Sequence, residues 1–247
     1  MEVKMDLKNK VAVVTGASTG IGQAIAIALA ARGAKVALVA RNLEGLKQTE
    51  SNIKKAGGIS KICQTDLRKE NEINSLASDV LGQWGSADVV INVAGVWHDN
   101  EKVYYGVPLH ETPIEQIDEV IDVTLRGTML LSRAFISGMI EKKQGKIINI
   151  SGTFSSGGAG WLHYYVAKLG VENFTVGLAS ELRKHQIQVN CISPSDTATD
   201  ALIKYFGDDA TSGLPPENIA ELALFLLCDP VADNITGETI VIKNKLA

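Results

Sequence analysis

Short apolar runs rich in Val, Ile and Ala recur along the chain, separated by longer stretches whose apolar residues return at helical spacing. The runs at 11–15, 35–40, 60–64, 88–92, 145–150, 187–192 and 239–242 predict seven strands. Several are apolar almost throughout, as in Val11-Ala12-Val13-Val14, a pattern that suits a strand covered on both faces. The stretches 21–32, 43–56, 69–84, 113–139, 161–185 and 216–227 predict helices; Gly33 and Gly57 stop two of them, while Pro113 and Pro216 open two others. Regular alternation of strand and helix is the mark of βαβ units. The expected fold is therefore α/β, a doubly wound parallel sheet of Rossmann type with about seven strands and helices on both faces. No linker, repeat or low-complexity segment interrupts the series, so residues 1–247 read as one domain. The stretches least compatible with regular structure, 96–112, 153–160 and 195–213, each follow a strand's C-terminal end, where open α/β sheets take their ligands.

Composition narrows the class of partner. With 247 residues, 45% hydrophobic and 21% charged, the chain can bury a sizeable core. Lys and Arg total 24 against 28 Asp and Glu, a net charge of −4, and no basic block is present to neutralise a row of phosphates. Nucleic acid is not an expected partner. Cys63, Cys191 and Cys228 are odd in number and sit in or beside apolar runs, the setting of small buried thiols in a reducing, cytoplasmic compartment. The four histidines lack metal-ligand spacing, so no metal site is expected. Residues 1–6 lack the apolar stretch of a signal peptide, and no run approaches the ~18 residues of a membrane span.

Candidate chemistry begins after the first predicted strand. Thr15-Gly16-Ala17-Ser18-Thr19-Gly20-Ile21-Gly22 leads into a helix of small apolar residues, and glycines there let backbone N–H groups approach a pyrophosphate. The spacing is G-x-x-x-G-x-G rather than G-x-G-x-x-G. A tight turn with glycines for packing alone is the competing reading.

Further motifs follow in order: Asp66-Leu67 after the third strand, Asn92-Val93-Ala94-Gly95 after the fourth, Tyr164-x-x-x-Lys168, and Asn190-Cys191-Ile192-Ser193-Pro194 with Thr199 beyond. On these residues the chain resembles the short-chain dehydrogenase/reductase family over nearly its whole length, 3-oxoacyl-carrier-protein reductases being the commonest analogy. The resemblance implies a nicotinamide cofactor. Gly16, Ser18, Thr19, Gly20, Ile21 and Gly22 would hold its phosphates, and Asp66 and Leu67 would lie near the adenine. Asn92, Ala94 and Gly95 would line the adenine-ribose side, with Pro194, Thr197 and Thr199 near the nicotinamide. Tyr164 and Lys168, four apart on a predicted helix, share a face. An ammonium near a phenol favours the phenolate, so Tyr164 can exchange a proton with a carbonyl or alcohol oxygen while hydride passes to or from the cofactor. By resemblance Lys168 also holds the nicotinamide ribose. Tyr165 is a weaker candidate, three residues from Lys168, and His163 reads as a pocket or surface residue.

The second strand ends Val39-Ala40 and is followed by Arg41. A fold selecting NAD(H) places an acid at that end; here the acid is missing and a cation stands next, which predicts preference for NADP(H), NAD(H) remaining possible. An ordinary solvated charge is the alternative for Arg41, and Thr19 stands where many NADP(H) members carry a second base.

Departures from the family concern the substrate side. Thr124, in Val123-Thr124-Leu125-Arg126-Gly127, replaces the family's helical Asn; by resemblance that position contributes a main-chain carbonyl, which any residue retains. Ser151 lies thirteen residues before Tyr164, the spacing of the family's catalytic serine, but aligning the strand 147–150 puts Gly152 there instead, with Thr153 as a stand-in. The two registers point different residues at the substrate. A bland reading makes Ser151, Ser155 and Ser156 loop residues. Pro194-Ser195 replaces the family's Pro-Gly, and the C-terminal Asp-Gly-Gly is absent around Lys245. The loop 96–112, with Trp97, His98, Tyr104 and Tyr105, is a candidate substrate wall or a folded surface loop. The expected activity is carbonyl/alcohol oxidoreduction on a small molecule by a homo-oligomer, tetramer or dimer. A cofactor-binding sensor without turnover, or an isomerase or dehydratase on the same fold, are the competing functions.

Overall fold

The computed structural model describes residues 6–99, 101–154 and 157–244. Residues 1–5 of the expected leaderless N-terminus, the loop serines Ser155 and Ser156, and Lys245 lie outside them. Seven strands pair in parallel: β1 (Val11–Thr15), β2 (Lys35–Ala40), β3 (Ile59–Gln64), β4 (Val89–Asn92), β5 (Gly145–Ile150), β6 (Ile187–Pro194) and β7 (Thr239–Ile242). Their order across the sheet is β3-β2-β1-β4-β5-β6-β7. The helices are α1 (Gly20–Ala31), α2 (Leu43–Lys55), α3 (Glu70–Trp84), α4 (Ile114–Val120), α5 (Gly127–Lys142), α6 (Leu162–Leu182), α7 (Asp200–Phe206) and α8 (Pro216–Cys228).

Strand side chains alternate in direction, and here both directions are apolar. Ala12, Val14, Val36 and Leu38 meet α1, α2 and α8 through Ile25, Leu29, Leu46 and Leu224. Val11, Val13, Ala37 and Val39 meet α3, α5 and α6 through Ile73, Leu131, Phe135 and Leu178. The chain runs outward from β1 to β3, then returns to β4 on the other side of β1. The connections from β1 to α1 and from β4 to α5 therefore lead to opposite faces of the sheet and open the crevice in which such sheets bind ligands.

Two predicted segments differ from the structure. The helix expected over 113–139 is α4, a π-helical turn (Ile121–Arg126) and α5, which runs on to Lys142. The wider turn takes an extra residue without breaking the apolar run, so the pattern does not betray it. The stretch 195–213, expected to be irregular, contains α7 and a 3-10 segment (Gly207–Ser212). Thr199 caps α7, its Oγ1 accepting from the Leu202 N–H at 3.2 Å.

Candidate active site

The turn from β1 into α1 is built for close approach. Thr15 Oγ1 accepts from the N–H groups of Val93 (2.9 Å) and Ala94 (3.1 Å), stapling the loops after β1 and β4 together. Gly16 has φ +64°, and a Cβ there would stand 3.2 Å from the Ala94 nitrogen; a Cβ on Gly22 would collide with the Gly16 carbonyl. Thr19 begins α1 without a side-chain cap, and the first turn holds no acid. N–H groups left open at a helix start, beside glycines that admit no side chain, fit the pyrophosphate of a dinucleotide.

Tyr164 and Lys168 project from α6 toward this crevice. Lys168 is buried, and its Nζ donates to the Ile150 carbonyl at 2.7 Å, its one hydrogen bond among the described residues. The ammonium lies 5.5 Å from the Tyr164 ring centre. A Cβ at position 95 would come within 3.3 Å of Nζ, so Gly95 leaves room beside the ammonium. Two of its three donors make no hydrogen bond among the described residues. Burial pushes Lys168 down to about 8, against the opposing pull of Cys191 and Glu172. Burial also pushes Tyr164 up, which reverses the expectation that the ammonium would lower it: loss of hydration dominates in the protein without its ligands. Tyr164 consequently keeps its proton at neutral pH and stands ready as an acid.

The remaining expected residues divide. Ser151 is buried and donates its hydroxyl to Glu172 Oε1 at 2.7 Å, so the group expected to polarise a substrate oxygen is already engaged. A Cβ on Gly152 would meet nothing nearer than the Phe154 ring at 3.7 Å. Thr153 is bound through both N–H and hydroxyl to the carbonyl of Pro194. Thr124 lies in the π turn, its Oγ1 accepting from the Val96 N–H at 3.2 Å and its carbonyl accepting from the Thr128 hydroxyl at 2.8 Å. Asn92 departs from its expected place. Its side chain is buried and donates to Asn149 Oδ1 and Ser132 Oγ, locking β4 to β5 and α5 rather than lining an adenosine pocket. Thr197 is buried and bonded to the Ser195 carbonyl. Thr199 presses its methyl toward Gly20, where an added Cβ would lie 2.9 Å away. His163 is neither at the surface nor free: it is buried, 3.1 Å from Gln116 Nε2, and desolvation lowers its pKa. Tyr165 packs edge-on to Phe154.

Aromatic rings gather around Tyr164. Phe154 lies edge-on at 6.0 Å and Trp161 tilted at 6.2 Å. Trp97 meets Trp161 at 6.3 Å, and from α7 Tyr205 and Phe206 meet Trp97 at 6.0 and 6.4 Å. The Tyr205 hydroxyl donates to the Asp99 carbonyl, tying α7 to the 96–112 loop. Tyr105 lies tilted at 5.0 Å from Trp161, so Trp97 and Tyr105 of that loop join the aromatic cluster, whereas Tyr104 is buried. Trp161, Phe154, Tyr205 and Phe206 were not expected beside Tyr164, and the last three had no local signal.

At the other end of the crevice, Arg41 Nη1 meets Glu119 Oε1 at 2.9 Å. Arg68 grips Asp66 through Nε and Nη2, and its Nη1 stands 3.8 Å from the same Glu119 oxygen. Arg68 holds the Asp66 carboxyl below its usual range. The Tyr104 hydroxyl donates to Glu119 Oε2 at 3.1 Å. Neither Arg68 nor Glu119 was expected.

Residues 10–209 match the family described as short chain dehydrogenase. The chain is 34% identical over 241 residues to a 3-oxoacyl-[acyl-carrier-protein] reductase of Synechocystis sp., covering 94% of this chain and 95% of that one. An uncharacterised oxidoreductase of Bacillus subtilis is 35% identical over 254 residues, with 95% and 89% covered. Among solved structures, a metagenomic short-chain oxidoreductase in complex with NADP is 36% identical with TM-score 0.81, covering 95% of this chain and 97% of that one. Actinorhodin polyketide ketoreductase with NADPH is 28% identical with TM-score 0.86, covering 100% and 99%. The chain therefore belongs to the short-chain dehydrogenase family, as a nicotinamide-dependent oxidoreductase that interconverts a carbonyl and an alcohol.

Proposed function

We propose that the protein is an NADPH-preferring reductase of ketones bearing a flat, apolar group, with Tyr164 as its acid/base and Lys168 as the residue that holds the nicotinamide ribose. The carrying observation is the buried Lys168 ammonium, with one hydrogen bond made among the described residues and Gly95 leaving room beside it, next to Tyr164. When bound, the nicotinamide supplies or accepts the hydride. Tyr164, holding its proton, donates it to the carbonyl oxygen during reduction; in the reverse sense the phenolate takes the proton of an alcohol. Proximity of the ammonium stabilises that phenolate once it forms. Gly16, Gly20 and Gly22 keep the α1 N-terminus open to the phosphates, and Thr199 closes over that loop.

Arg41 just beyond β2, with no acid on the strand end, supports the NADPH preference, as do the NADP and NADPH complexes of the two similar structures. Phe154, Trp161 and Trp97 around Tyr164 support the substrate class, since aromatic faces reward flat apolar groups. Retention of Tyr164 and Lys168 in reacting proximity weighs against a sensor without turnover. The continuous sheet supports a single domain. Exposed Met129, Val166, Val176 and Val241 support self-association, which light scattering tests by mass. The function itself is tested by following nicotinamide absorbance with a panel of ketones and both cofactors. Turnover of aryl ketones with higher kcat/KM for NADPH is expected; preference for NADH, or for small charged keto acids, would overturn the corresponding half of the reading.

A further inference from the structure

Two arginines from different strand ends converge on one carboxylate oxygen. Arg41 follows β2 and Arg68 follows β3, and both point a guanidinium nitrogen at Glu119 Oε1, from α4, at 2.9 and 3.8 Å. Each cation is positioned by other contacts. The Arg41 carbonyl accepts from Gln64 Nε2 at 2.9 Å, fixing the turn. Asp66 engages Nε and Nη2 of Arg68, leaving Nη1 for Glu119. Glu119 is held in turn by the Tyr104 hydroxyl on its second oxygen, a phenol that burial and that carboxylate keep protonated. The arrangement is an anion site of two guanidinium groups, closed by an anion from the protein's own chain. It stands at the β2 end, where dinucleotide folds place the group that reads the adenosine 2′ position.

We infer that Arg41 and Arg68 together form the 2′-phosphate site and that Glu119 is a built-in competitor for it, setting how strongly the protein distinguishes NADPH from NADH. This rests on the NADPH-preferring reading above. Arg68 supplies the second cation that the glycine loop, with Thr19, lacks. A 2′-phosphate arriving at Arg41 must displace the Glu119 carboxylate or lie against it, and like charges that close repel. A 2′-hydroxyl carries no such charge. Glu119 therefore weakens binding of the phosphorylated cofactor selectively. The Arg41 side chain is 47% exposed and that of Glu119 22%, so solvent screens the pair and the effect is one of several-fold rather than of orders of magnitude.

The test is calorimetric titration of the full chain with 2′,5′-ADP, and with 5′-ADP as the control that lacks the 2′-phosphate. Glu119→Gln keeps the side chain's shape and its acceptor for Tyr104 while removing the charge. It is expected to tighten 2′,5′-ADP by about threefold to tenfold and to leave 5′-ADP within about twofold. Arg68→Gln is expected to weaken 2′,5′-ADP by a similar factor, again sparing 5′-ADP. Unchanged or weaker 2′,5′-ADP binding in Glu119→Gln would overturn the competitor role. So would equal tightening of both ligands, which marks a general loosening of the crevice. A parent protein that binds 5′-ADP as tightly as 2′,5′-ADP would sink the NADPH preference instead, while the ratio between variant and parent still decides the role of Glu119.

Discussion

Replacing Tyr164 by Phe keeps the ring that packs on Phe154 and Trp161 and removes only the hydroxyl. Turnover is expected to fall at least a hundredfold with unchanged 2′,5′-ADP affinity and melting temperature; near-normal turnover would remove the acid/base from this residue. Burial pushes the Lys168 pKa down to about 8, against 10.5 for a free lysine. Between those values the unfolded chain holds the proton more tightly than the folded one. The cost of burying the ammonium is therefore full below pH 8 and is relieved as pH rises toward 10.5. Urea unfolding of the parent and of Lys168→Met should show the variant's advantage shrinking across that interval. A difference independent of pH would mean that Lys168 is not desolvated. Ser151 is spent on Glu172, so Ser151→Ala should lower stability by about 1 kcal/mol and change kcat by less than about threefold. A larger loss of turnover would restore it to the reaction. The helix that carries Tyr164 and Lys168 was legible, and residues four apart on it share a face; the side to which Ser151 turns was not, because a one-residue slip of register turns a strand's side chain to the other side of the sheet.

The elements around the crevice were legible in proportion to how far their patterns are local. Strands buried on both faces announce themselves as apolar runs, and all seven fell within two residues of their predicted ends. α7 escaped because it is one short helix with no buried residue, so that its apolar Leu202, Ile203 and Phe206 do not join the cores against the sheet; the Thr199-Asp200 start was the signal available. That helix and the 96–112 loop carry the rings that meet Trp97. Trp97→Ala and Trp161→Ala should each raise KM for an aryl ketone by about threefold to tenfold, the worth of one aromatic pair, and change KM for a small aliphatic ketone by less. Equal effects on both substrates would assign the two tryptophans to packing of the loop alone.

For the whole molecule, strand order and crevice follow from topology, which no single window of sequence contains: β4 returns beside β1, 74 residues after that strand closes. A separation of 78 residues likewise hides Glu119 from Arg41, although each is visible by itself. Because NADPH would meet glycines, open helix N–H groups and the Lys168 ammonium only in the folded chain, saturating NADPH should raise the melting temperature, by an amount reflecting about 2.7 kcal/mol at a hundred times Kd. The contact of the Thr199 methyl with Gly20 carries this further. Thr199 both lies over the phosphate loop and caps the helix that bears Tyr205 and Phe206. A cofactor phosphate held in the loop would lie beside the residue that starts the helix of Tyr205 and Phe206. The expected consequence is an order of addition, cofactor first and ketone second. Steady-state kinetics should reveal this as a compulsory sequence, with NADP+ competing against NADPH and the alcohol product failing to do so.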